Sequence, residues 1–233
     1  MASRTIAAAG SVVTLVRFDA ASTRLVLHPG YQDPGGFGWS THSVVQPAER
    51  AVLLAGFNGG FKLNLGDGGM AVGTRQAGAL QPGLASVVTY ADGSSQIGQW
   101  GQQVPAAGRA VANVRQNLRL LVSDGQPAAD VDVISDWGAT IGGAVVVARS
   151  ALGIDAQGDL IWAGSMAATP RALAEALIEA GVQRAMELDI NPFWVCAFAF
   201  APVSQVPILF GQQRPAGTFL IAWQRDFFTV DAK

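Results

Sequence analysis

Short apolar runs closed by turn residues recur along the whole chain, and their length limits it to a fold built mainly from strands. They read SVVTLVRF (11–18), TRLVLH (23–28), AVLLAGF (51–57), LASVVTY (84–90), LRLLV (118–122), GAVVVARS (143–150), DLIWAG (159–164), RAMELDI (184–190), WVCAFAF (194–200), VPILF (206–210) and GTFLIAW (217–223). Runs of five to eight residues suit strands and fall short of most helices. Asp67-Gly68, Asp92-Gly93 and Asp124-Gly125 stand beside them, and Asp-Gly is a strong two-residue hairpin signal. A chain of 233 residues that is 50% hydrophobic and holds 28 glycines fits one large core with many tight connections.

One helix is written plainly. In TPRALAEALIEAG, Thr169 is the N-cap, Pro170 takes the first helical position and Gly181 lies just past the end. Leu173 and Leu177 lie one turn apart, with Ala176, Ile178 and Ala180 widening the apolar stripe, while Glu175 and Glu179 face water. The helix joins the runs at 159–164 and 184–190, a strand–helix–strand passage long enough for a parallel crossover. The first half reads as meanders. The expectation is a single α+β domain over 1–233: a β-rich mixed sheet with a few helices packed on it.

Composition excludes several classes. The net charge of −2 comes with no cluster of basic residues, so no electrostatic footprint for nucleic acid is written. Cys196 is the lone cysteine, which rules out an internal disulfide and a cysteine zinc site, and WVCAFAF reads as buried. His28 and His42 have no metal-ligand partner at helical spacing, so neither a metal nor another cofactor is expected. No apolar run reaches the roughly 18–20 residues that span a bilayer. TIAAAGSVVTLV (5–16) alternates into VTLVRF and reads as a first strand.

Four stretches carry chemistry. AGFNGGF (55–61) leaves an apolar strand through Asn58, Gly59 and Gly60; this is either a tight turn or a place where backbone must approach a ligand. RAMELDINPFW puts Glu187 and Asp189 on one face of a strand, where carboxylates are costly unless paired or functional. Alternatively Asp189 caps the Asn191-Pro192 turn and Glu187 meets an arginine. Arg149 follows three valines, and a guanidinium there meets a carboxylate or a phosphate. Arg115, Gln116 and Asn117 form a polar cluster before an apolar run.

The order FNGGF, RQNLRLLVSDG, ARSALGID, helix, LDINP resembles the phosphodiester glycosidase family over about 51–191. That family runs NGGFF, a GG-x-L stretch, ARTAIG-x-D, a helix and NLDGGGS. Asn58 to Phe61 match the first element, Arg149 to Asp155 the third, and Leu188-Asp189 begin the fourth. DINPF replaces DGGGS, and AVGTRQ (71–76) stands where the family shows Asp-Gly. The RQNL and ELDINP variants and the high alanine and glycine content are similar to an actinobacterial branch.

The resemblance implies a hydrolase for the glycosidic bond of a sugar-1-phosphodiester, of the N-acetylglucosamine-1-phosphate type, working outside the cell or on its envelope. Asp189 would then be nucleophile, base or charge stabiliser, Arg149 would neutralise the leaving phosphate and Asn58 would hold the sugar. Gly59, Gly60, Arg115, Asn117, Asn191, Glu187 and Asp155 would contact substrate, the last two being candidates for a second carboxylate. A non-catalytic glycan-binding domain on the same fold is the alternative that the lost glycines raise. Oligomeric state is not written in the sequence.

Overall fold

The computed structural model describes residues 1–65, 68–201 and 204–233. Among the described residues seventeen strands form three sheets in which every named pair is antiparallel. The large sheet runs, edge to edge, Ala2–Ala8, Ser11–Phe18, Leu160–Ala168, Val147–Asp155, Val182–Glu187, Leu120–Ser123 and Gln126–Pro127. A second sheet orders Ser204–Pro207, Ala197–Ala201, Leu53–Asn58, Phe227–Ala232 and Thr23–His28. The third orders Arg75–Ala77, Met70–Val72, Val111–Gln116, Ala85–Tyr90 and Ser95–Gln99.

The middle of the large sheet is buried on both faces, and side-chain alternation sorts its residues. Phe18, Leu152, Trp162 and Met186 point to one face, where they pack with Phe57, Phe228 and Val230 of the second sheet and Val72, Val87 and Ile97 of the third. Their neighbours Val13, Leu15, Ala151, Ile161 and Ala163 point the other way, onto Leu173, Ala174 and Leu177 of the helix Pro170–Glu179. Phe57 is central to the sandwich, its ring 6.2 Å from Phe18, 6.2 Å from Trp162 and 5.6 Å from Phe228.

The expected α+β architecture with a mixed sheet is corrected: this is a β-rich fold of antiparallel sheets with one α-helix among the described residues. The helix does join two strands that run the same way. They never pair, because Val147–Asp155 lies between them and is antiparallel to both. The other helical pieces are short 3-10 turns. One of them, Thr218–Leu220, occupies the run at 217–223 that reads as a strand; there Phe219 stacks on Phe227 at 4.5 Å, and packing overrides propensity.

The turn chemistry holds where it is described. Asp92-Gly93 joins Ala85–Tyr90 to Ser95–Gln99, and Asp124-Gly125, both at positive φ, joins Leu120–Ser123 to Gln126–Pro127. Asp67 of the third such pair lies outside the described residues. The strand at 5–16 is a hairpin, Ala2–Ala8 with Ser11–Phe18, turning at Ala9 and Gly10. The Thr169 side chain accepts from the Ala172 amide at 3.0 Å, as the N-cap reading requires. Thr169→Ala leaves that amide unpaired; urea unfolding is expected to read a loss of about 1 kcal/mol.

Candidate functional site

The three sheets meet where strands deliver charged side chains from all of them. Val182–Glu187 ends the large sheet's contribution and runs on to Asp189; Val111–Gln116 supplies Arg115 from the third sheet; Arg225 and Asp226 immediately precede the strand Phe227–Ala232 of the second. Each of these groups is buried. Burial disfavours a charge unless it is paired, and the junction is organised as three arginine–carboxylate pairs.

Arg149 and Glu187 form the innermost pair, Nη1 to Oε1 at 2.7 Å. Arg149 also donates to the carbonyls of Trp137 (3.0 Å) and Ala168 (3.2 Å). Burial lifts the Glu187 carboxyl to about 7, against the pull of Arg149. Neither side chain is exposed, so Arg149 is not placed to touch a ligand in the cleft. Arg115 grips Asp226 with both arms of its fork, Nε to Oδ2 at 2.8 Å and Nη2 to Oδ1 at 3.2 Å, and donates to the carbonyls of Gln116 and Phe61.

Asp189 and Arg225 are the outer pair. Nη1 lies 2.7 Å from Oδ2, and the contact is ionic, since Oδ2 lacks a well-aligned hydrogen bond. Arg225 also donates to the Gly60 carbonyl at 2.6 Å and lies over the Trp194 ring. The Asp189 Oδ1 accepts the Asn191 amide at 2.8 Å, which is the turn-capping role read for it in the sequence. Burial raises its pKa, while Arg225 and the Asn191 amide pull the other way. Asp189, Arg225, Asn191, Trp194 and the exposed Lys62 line a cleft of about 520 Å³. Phe61, Leu65, Leu118 and Ile190 make part of its wall apolar, as small-molecule sites commonly are.

The other candidates hold the junction together. Asn58 closes its strand with Nδ2 donating to Ser150 Oγ at 2.9 Å and Oδ1 accepting from the Cys196 amide at 3.3 Å. Asn117 donates to the Glu187 and Leu188 carbonyls at 2.7 and 3.1 Å and accepts from the Phe61 amide at 3.2 Å. Asn58-Gly59 makes no hairpin. A Cβ on Gly59 would lie 1.9 Å from Asp226 Oδ2, and one on Gly60 3.0 Å from the Arg115 guanidinium, so the backbone's close approach is to the protein's own ion pair. Asp155 is elsewhere, at the far end of Val147–Asp155, where it pairs with Arg17 and accepts from the Gln157 and Asp159 amides.

Sequence reading missed Arg225, Asp226, Lys62 and Trp194. QRDFFTV does carry a signal, two adjacent opposite charges opening an apolar run. His28 is buried at a strand end, bonded to the His42 carbonyl and Thr229, with its pKa lowered to about 4 by burial. Cys196 is buried, which pushes its thiol up. Among the described residues no group of three or more His, Cys, Asp or Glu is placed to hold a metal ion, and no helix is long and apolar enough to cross a membrane.

No protein-family model and no curated protein sequence matches the chain. Solved structures do. It is similar to the zebrafish N-acetylglucosamine-1-phosphodiester alpha-N-acetylglucosaminidase catalytic domain, auto-inhibited by its pro-peptide, with a TM-score of 0.58 and 15% identity over 100% of this chain and 82% of that one. It is also similar to a hypothetical protein from Synechocystis, with a TM-score of 0.50 and 16% identity over 99% of this chain and 61% of that one. At such identities the likeness is one of fold.

The buried pair makes its own forecast. Glu187→Ala strands the Arg149 charge and is expected to cost about 3–5 kcal/mol in urea unfolding. The double replacement Arg149→Met with Glu187→Leu recovers most of that loss, since no buried charge is left alone.

Proposed function

We propose that the protein is a divergent phosphodiester glycosidase, hydrolysing the bond between a sugar's anomeric carbon and a phosphodiester oxygen. The observation that carries the reading is Asp189: a carboxylate 2% exposed, facing a cleft and held there by Arg225. The fold shared with a catalytic domain named for this chemistry supports it, as does the motif order from Asn58 to Asp189. N-acetylglucosamine is the sugar that domain's name supplies and the first to test. An extracellular or cell-envelope location follows from the same resemblance.

Cleavage breaks the C1–O bond, and its electron pair leaves on the phosphate oxygen. Phosphate is a good leaving group, so the barrier lies in the cationic character at C1. Asp189, ionised, stands against that developing charge as stabiliser or nucleophile, and water supplies the hydroxyl that replaces the phosphate. Lys62 and Arg225 line the same cleft and are the cations available to the leaving anion. Arg149, Asn58, Asn117, Arg115 and Glu187 act from behind as positioning residues, with Gly59 and Gly60 giving the ion pairs room.

Release of N-acetylglucosamine from a synthetic α-N-acetylglucosamine-1-phosphodiester tests the reading. Asp189→Ala should abolish it in a protein that still unfolds cooperatively. Binding without turnover by the unmodified protein would leave a glycan-binding domain in its place. The pH profile adds a check with a sign. Because burial raises the Asp189 pKa, activity should fall as pH drops through a value above the ordinary carboxylate range. Arg225 holds that value down, so Arg225→Met should move the acid limb to higher pH.

A further inference from the structure

A second concavity, of about 420 Å³, opens in the segment that follows the strand Thr23–His28. Residues 29–44 form no regular strand or helix, yet they are firmly held. The amides of Tyr31 and Gln32 donate to the carbonyls of Trp223 and Gln224, each at 3.0 Å, and the Trp223 amide returns a bond to Ser43 at 2.6 Å. Trp39 Nε1 donates to the Gly35 carbonyl at 2.8 Å, and Arg75 backs the Trp39 ring at 4.8 Å. A long loop fixed in this way is characteristic of a binding loop.

Its lining is aromatic and hydroxylated. Tyr31, Phe37 and Trp39 supply rings, Thr41 and Ser43 hydroxyls, and His42 an imidazole; among the described residues no aspartate, glutamate, lysine or arginine lines it. Phe37 is 91% exposed and Tyr31 48%, so two large rings stand in water around a hollow. A pocket of rings and hydroxyls, with the Arg75 guanidinium behind its Gly36, Gly38 and Trp39 wall as its nearby charge, suits a neutral ligand that has apolar C–H faces and many hydroxyls, which is the chemistry of a sugar.

The loop that forms the pocket also reaches the site. Gln32 and Asp33, next along the chain from Tyr31, line a small hollow of about 210 Å³ whose other walls include Lys62, Trp194 and Arg225 of the main cleft. Gly30 packs against the backbone of Arg225 itself, where a Cβ would meet it at 2.4 Å.

We infer that the Tyr31–Phe37–Trp39 pocket is an accessory glycan site, which binds a neutral sugar residue away from the scissile bond and so holds the protein on an oligosaccharide or polymer. The choice of a glycan over another aromatic-seeking ligand rests on the glycosidase reading of the neighbouring cleft.

The test is saturation-transfer NMR and titration with linear tetrasaccharides of glucose, mannose and N-acetylglucosamine, alongside a proline-rich peptide. At least one tetrasaccharide should saturate the pocket. Phe37→Ala should weaken it about fivefold, with the double variant carrying Tyr31→Ala weaker still. Phe37→Ala should leave turnover of the small synthetic phosphodiester unchanged, and Asp189→Ala should leave tetrasaccharide binding unchanged. Phe37-dependent binding without any turnover would sink the glycosidase reading and keep the accessory site. No binding by any tetrasaccharide, affinity indifferent to both ring deletions, or capture of the peptide alone would overturn it.

Discussion

Two buried arginine–carboxylate pairs tie the sheets to one another, a third stands behind them, and the rest of the structure is arranged to tolerate all three. Asp189 from the large sheet meets Arg225 from the second; Asp226, the next residue, meets Arg115 from the third. Arg149 and Glu187 lock the large sheet behind them. Ions taken out of water repay their desolvation only with good geometry and full hydrogen bonding. That requirement is met in part: the carbonyls of Gly60, Phe61, Gln116, Trp137 and Ala168 accept from the three guanidinium groups, while Arg149 Nη2, Glu187 Oε2 and Arg225 Nε have no hydrogen-bond partner among the described residues. In the enclosed Arg149–Glu187 pair, a single truncation would leave a charge buried without its partner.

The same arrangement sets apart one carboxylate. Glu187 is enclosed, and Asp226 takes both arms of the Arg115 fork. Asp189 is held at one oxygen by a backbone amide and at the other by a charge contact, at the edge of a cleft. Lys62 lines the same cleft and is exposed, while the Asp189 carboxylate is buried and held at both oxygens. Fixing the group that must not move is the usual economy of a preorganised site.

The legibility of this in the sequence follows from how local each signal is. The capped helix Pro170–Glu179 and the Asp-Gly hairpins lie within a few residues of their cause, and they could be read directly. Strand pairing could not. The helix between two apolar runs implies a parallel pair, and only the insertion of Val147–Asp155 between them makes the sheet antiparallel. In the site, Asp189, Arg149 and Arg115 stand out because charge is rare inside apolar runs. Asp155 stands out for the same reason and proves to serve a hairpin with Arg17. Arg225 is as unusual by that criterion, but its partner is Asp189, and a contact over so long a stretch of chain leaves no mark near either residue.

The turn after Asp189 bears on how such a cleft must recognise its ligand. Where the resembling family has DGGGS, backbone amides freed of side chains can approach a substrate. Here the sequence is DINPF, and the Asn191 amide is already committed to Asp189 while Pro192 has none to give. Contact with anything in the cleft therefore falls to side chains, and those on its wall include Lys62, Ser135, Asp136, Asn191, Trp194, Arg225 and the apolar group around Phe61 and Ile190. Side chains can repack where a glycine loop cannot. A cleft built this way keeps the carboxylate in place and offers side chains, in place of free backbone amides, to whatever enters it.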